Sequence, residues 1–75
     1  PNPSNGAFRL IMNNKQDADY TLKLRDAQGK LIIEEQLNVN GNFVKDYNFE
    51  DLSRGVYFLS VQSDEESIMK KLIIQ

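Results

Sequence analysis

Turn-forming residues interrupt this chain so often that no stretch between them is long enough for an ordinary helix, and the stretches alternate with a period of two. The interruptions fall at an irregular lead-in over residues 1–6, a polar stretch over 13–18, a tight turn at Asp26-Ala27-Gln28-Gly29, and the Asn40-Gly41 pair within 38–42. Two more follow, over residues 51–55, ending in Gly55, and at a charged reversal over 63–67. Asn-Gly is favoured where two successive residues take positive φ, so residues 38–42 are expected to reverse the chain.

Between these breaks, Tyr20, Leu22 and Leu24 alternate with Thr21, Lys23 and Arg25, which places one face in a core and the other in water. The same alternation gives a face of Phe8, Leu10 and Met12, one of Leu31, Ile33 and Leu37, and one of Phe43, Tyr47 and Phe49. Tyr57, Leu59 and Val61 make a fifth, and Ile68, Leu72 and Ile74 a sixth. No window carries the i, i+3, i+4, i+7 apolar stripe of a helix, and β-branched and aromatic residues concentrate between the turns. The predicted fold is all-β: an immunoglobulin-like antiparallel β-sandwich of six to seven short strands, one domain over residues 1–75. Its expected core is Phe8, Leu10, Tyr20, Leu22, Leu24, Leu31, Ile33, Tyr47, Phe49, Leu52, Tyr57, Leu59, Val61, Leu72 and Ile74. Glu35 and Lys45 blemish the inward faces, so their strands are expected to run past the core or lie at a sheet edge. Lys70 falls on the inward face of the last strand near its rim, where its stem can lie along apolar surface.

A chain of 75 residues is one domain, and it buries only roughly 60% of its unfolded surface, which leaves a stability of a few kcal/mol. With no Cys and no His it has no thiolate nucleophile, imidazole base, disulfide or thiolate or imidazole metal ligand. No enzyme activity, metal or cofactor is expected. A formal net charge of −2 argues against nucleic acid, which needs a basic face. No apolar run approaches the roughly 20 residues that span a bilayer, so the chain is not expected to insert into a membrane on its own. Beginning at Pro1 without Met, it is expected to be a piece of a longer protein.

Glu34-Glu35 and Asp64-Glu65-Glu66 are the acidic clusters; adjacent strand residues point to opposite faces, so the first reads as surface and edge charge and the second as a polar hairpin tip. Asp17, Asp19 and Asn13-Asn14 carry oxygens that suit calcium, but the spacing lacks the glycine and bidentate glutamate of a dedicated loop. Phe58 alternates out of phase with Tyr57 and Leu59 and is expected to face solvent or a second packing layer.

Three features remain. Pro1-Asn2-Pro3 is a stiff extended lead-in that ends at Gly6; Gly55 supplies a conformation or close approach that a Cβ forbids, two residues before a tyrosine whose hydroxyl can tie to backbone as in a tyrosine corner; and Lys70-Lys71 precedes Leu72-Ile73-Ile74. Their order and spacing resemble the C-terminal sorting domain of the type IX secretion system. The lead-in matches at Pro1, Asn2, Pro3, Gly6, Phe8 and Leu10. The middle matches at Leu22-Lys23-Leu24-Arg25-Asp26 with Gly29-Lys30-Leu31, and the end at Leu52, Gly55 and Tyr57, then Lys71 with Leu72, Ile73 and Ile74.

The resemblance implies an immunoglobulin-like module, not an enzyme, that addresses its cargo first to the periplasm and then across the outer membrane to the cell surface or medium. Its implied partners are the type IX translocon, an outer-membrane shuttle protein and a cysteine-dependent sortase that cuts upstream of Pro1; no small-molecule substrate is implied. The implied sorting-motif residues are Pro1, Asn2, Pro3, Gly6, Gly55, Tyr57, Lys70 and Lys71. Lys71 on an outer face serves equally well as a contact for an acidic patch or as a guard against aggregation. The alternative function is a structural stalk or accessory β-sandwich that docks a neighbouring catalytic domain; a carbohydrate-binding module would need a row of exposed aromatics that the chain lacks.

Overall fold

The computed structural model describes residues 6–75, so the expected lead-in at Pro1, Asn2 and Pro3 lies outside the described residues. The chain forms four strands, β1 (Ala7–Asp26), β2 (Leu31–Asn48), β3 (Gly55–Gln62) and β4 (Ser67–Ile74). They make one antiparallel sheet in the order β2-β1-β3-β4. The all-β expectation holds. The count of six to seven short strands does not, because residues 13–18 and 38–42 fail to end their strands. The six alternating segments are present, but the first two fuse into β1 and the next two into β2.

The reason lies in how the turn residues are used. Ladder pairing passes from Asn14↔Gly41 to Ala18↔Val39, so residues 15–17 bulge out of β1 opposite Asn40. Gly41 has φ +74, and no non-glycine residue described has positive φ. Asn40-Gly41 therefore bends β2 rather than reversing it. The true reversal is at Asp26, whose carbonyl accepts the Gly29 N–H at 3.0 Å and whose Oδ1 accepts those of Gln28 and Lys30 at 2.9 Å.

This bend folds the hairpin over on itself. A straight strand of 20 residues spans about 66 Å at roughly 3.3 Å per residue, yet the longest dimension of the molecule is 37 Å. The Tyr47 hydroxyl donates to Glu35 Oε1 at 2.6 Å, a contact between the two halves of β2. Residues 49–54 span about 20 Å at most, and only a folded hairpin brings Asn48 within reach of Gly55. The half nearer the Asp26 turn (residues 18–26 with 31–39) lies in the sheet with β3 and β4, and the far half (7–14 with 41–48) lies back over it. These are the proximal and distal halves of the hairpin.

The core sits between them. Tyr20, Leu22, Leu24, Phe49, Tyr57, Leu59, Val61, Leu72 and Ile74 are buried as expected, and Phe8, Leu10, Ile33, Tyr47 and Leu52 pack partly buried against them. Leu31 is a correction. Pairing moves from Leu24↔Ile33 to Arg25↔Leu31, a bulge at Ile32 that turns Leu31 outward and leaves it 41% exposed. Met12, Leu37 and Val39 join the core, Val39 from within residues read as a turn. Ile68, expected to face inward, is 48% exposed next to the 63–66 reversal.

Candidate functional site

Gly55, Tyr57, Lys70 and Lys71 all fall on the β3–β4 hairpin. The ladder sets Gly55 opposite Ile74, Tyr57 opposite Leu72, Phe58 opposite Lys71 and Leu59 opposite Lys70. Tyr57 is buried, and its hydroxyl donates to the Ser53 carbonyl at 2.6 Å, which closes the expected tyrosine corner. Gly55 has φ +155, a conformation that side chains rarely adopt, while the nearest atom to a Cβ there would be Tyr57 Cε1 at 3.9 Å. Conformation, not crowding, requires glycine there. Lys70 and Lys71 are exposed and point to opposite faces of β4.

Gly6 stands apart from that hairpin. Its carbonyl accepts the Phe49 N–H at 2.8 Å, and a Cβ on it would lie 2.7 Å from Phe49 C and from Glu50 N. With φ +100 as well, Gly6 is fixed by both conformation and close approach. Phe49 in turn accepts the Leu52 N–H at 3.0 Å through its carbonyl. Gly6 therefore holds one end of the β2–β3 connection, and Gly55 with Tyr57 holds the other.

The polar tip of the hairpin is also tied down. Ser63 N–H donates to the Glu66 carbonyl at 2.8 Å, and Ser63 Oγ accepts the N–H groups of Glu65 and Glu66. The Tyr20 hydroxyl donates to Glu66 Oε1 and accepts from Asn14 Nδ2, which joins the β1 bulge to the tip. That bond to Glu66 is the main cause holding the Tyr20 phenol above its ordinary pKa. The carboxylates considered for calcium share an amide instead: Asn38 Nδ2 donates to Asp17 Oδ1 at 2.7 Å and to Asp19 Oδ1 at 2.9 Å. Among the described residues no three Asp or Glu side chains converge as a metal site.

The blemishes Glu35 and Lys45 meet each other. Their ion pair lies between the two halves of β2, Tyr47 donates to the same carboxylate, and the ammonium sits 5.3 Å from the Tyr47 ring centroid. The hydrogen bond from Lys45, then that from Tyr47, pulls the Glu35 carboxyl below its ordinary range. Burial, then the bond to Glu35, pushes the Tyr47 phenol well above its own.

Sequence reasoning read Thr21, Lys23 and Arg25 only as the wet face of a strand. The register sets Arg25 beside Phe58 and Phe58 beside Lys71, in one row across three strands on the face away from the core. Only alignment between distant segments reveals such a row; the signal present in the sequence was that Phe58 is out of phase.

Fold and motif residues together define a small all-β module whose two motif glycines and tyrosine brace the connection into a C-terminal hairpin that displays lysines. The chain belongs to the type IX secretion system C-terminal sorting domains: the family described as secretion system C-terminal sorting domain matches residues 1–75. That family is a sorting signal rather than a catalytic one, and it marks a secreted protein that passes the outer membrane by way of the secretion system. Comparison with curated proteins and with solved structures returns no match.

Proposed function

We propose that this chain is one folded address, residues 1–75, read on the periplasmic side by the type IX translocon and an outer-membrane shuttle protein and then removed by a cysteine-dependent sortase upstream of Pro1. The cargo passes through the periplasm to the cell surface or medium. The observation that carries this reading is the family match over the whole chain. The immunoglobulin-like description belongs to it in a reduced form, supported by six strand segments folded into two layers around one core. Within the motif, Pro1, Asn2 and Pro3 form the lead-in, Gly6, Gly55 and Tyr57 hold the scaffold, Lys70 covers the rim of the inward face, and Lys71 is the recognition residue. The geometry at the three scaffold residues supports that division, since each acts on backbone inside the domain.

The test is a folded reporter with an export signal and this domain at its C-terminus, expressed in a strain with the type IX machinery. Surface delivery is expected, and Lys71→Ala should lower delivery while changing stability by no more than about 0.5 kcal/mol. Wild-type fusion held in the periplasm, while another sorting domain is exported from the same strain, overturns the proposal. Normal delivery of Lys71→Ala at unchanged stability removes only the recognition role of Lys71.

A further inference from the structure

Where β1, β3 and β4 run side by side, the face turned away from the core has an unusual composition. One row across the sheet reads Leu31, Arg25, Phe58, Lys71, and the next places Lys23 and Met69 on either side of Ser60. A solvated antiparallel face is ordinarily polar throughout. Here Met69 is 69% exposed and Leu31 41% exposed, and Phe58 is half-buried between Arg25 and Lys71. The charge is also segregated. Lys23, Arg25 and Lys71 share these rows with one carboxylate, Glu34 opposite Lys23, although the chain as a whole is formally −2. Aromatic, methionine and arginine side chains are the types enriched at protein interfaces, and a local sign opposite to the net charge steers an oppositely charged partner onto that patch.

The outer face of the distal half contrasts with it. Ile11 opposite Val44 is apolar and exposed, but the neighbouring pair Arg9–Asp46 is neutralised by its own ion pair, at 2.7 Å. That face offers no net charge for a partner to match.

We infer that the outer face built from Lys23, Arg25, Phe58, Met69 and Lys71 is the surface that the secretion machinery docks, and that the docking surface on the partner is an acidic protein patch carrying apolar side chains. The inference rests on the sorting reading and adds to it the face that is read and the chemistry that reads it. Apolar contacts at Phe58 and Met69 supply burial, and the three cations select an acidic counterpart over a neutral or basic one.

The test uses the reporter fusion with three changes: Met69→Glu, the double change Lys23→Gln with Lys71→Gln, and Val44→Glu as the control on the distal face. Surface delivery on intact cells and the melting temperature of each purified fusion are measured. Both outer-face variants should lose most surface delivery and accumulate in the periplasm, with the melting temperature of the domain within about 4 °C of wild type. Val44→Glu should be delivered as wild type is. If Met69→Glu melts early, the double change, which introduces no new charge, decides. Delivery of the outer-face variants at wild-type levels overturns the inference while leaving the sorting function standing. A wild-type fusion that is not delivered removes both. Finally, the purified fusion is sedimented with vesicles of phosphatidylglycerol and phosphatidylethanolamine. Binding that the double change abolishes makes the face a membrane-surface contact and overturns the acidic-protein assignment; no binding supports it.

Discussion

The two halves of the long hairpin use the same alternation and are stabilised differently. In the proximal half Leu22 and Leu24 have no exposed surface, because β2 and β3 flank them in the sheet and the distal half lies over them. The distal half has no third strand in its ladder among the described residues. On its inner face Phe8 and Tyr47 stack with Phe49 just beyond β2, ring centroids 5.3–5.6 Å apart, and its outer face leaves Ile11 and Val44 exposed. A two-stranded ribbon is marginal by itself in water. The distal half is therefore ordered by what it lies on, through its aromatic stack, the Glu35–Lys45–Tyr47 contact and the anchor at Gly6. In this domain stability is concentrated in one half and depends on docking in the other.

The largest expected difference between the halves is in truncation of their apolar side chains. Leu22→Ala removes a side chain with 0% exposure and should cost about 2 to 5 kcal/mol. On a domain this small that is a large share of the total. Ile11→Ala, at 69% exposure, should stay within about 0.5 kcal/mol. Urea melts of both variants check the pair, and equal losses would show that the distal outer face is covered.

A smaller effect tests the anchor. Gly6→Ala puts a Cβ 2.7 Å from the backbone of Phe49 and Glu50 at φ +100, whereas at Gly29 the same change meets open space at φ +89. Backbone strain is common to both and costs on the order of 1 kcal/mol or more, so the clash is the difference. Gly6→Ala should melt lower than Gly29→Ala, and its amide exchange should rise first in residues 7–14 and 41–48. If exchange rises evenly through both halves, the distal half is not a separately docked unit.

How much of this was legible follows from the two uses of turn residues. The six alternating segments and nearly all of the core were readable, because burial on one face writes itself as period two. Whether residues 13–18 and 38–42 reverse the chain or bend it was not, since Asn, Asp and Gly serve a bulge as readily as a turn, and only cross-strand register separates them. Val39 was hidden between two asparagines for that reason, and Leu31 was misplaced by a single extra residue at Ile32. Tyr57 was legible because its partner Ser53 is four residues away; the role of Gly6 depends on Phe49, far along the chain. Glu35 and Lys45 mark an edge strand as expected, since β2 ends the sheet order, but their pairing with each other was not read from the sequence. Opposite charges on the inward faces of two successive segments also fit a pair that meets when the segments fold together, as these do.

The smallest effect expected concerns that pair and has a direction in pH. Lys45, then Tyr47, holds the Glu35 carboxyl below its ordinary range, so the folded state binds its proton less readily than the unfolded chain does. A carboxyl lowered in the folded state adds stability that is fully present above the unfolded value, about 4.3 for glutamate, and is lost as pH falls through the folded value. The pair is partly open to solvent, so its contribution is about 1 kcal/mol or less. Glu35→Gln should therefore melt slightly below wild type at about pH 7, and the gap should narrow as pH falls below the unfolded value of about 4.3 toward the lowered folded value. Arg9→Gln breaks the exposed Arg9–Asp46 pair on the outer face of the same half, where both groups are open to water, and should change the melt less. If the Glu35→Gln gap persists unchanged to about pH 3, the contact between the halves of β2 is held by Tyr47 packing and not by the carboxylate.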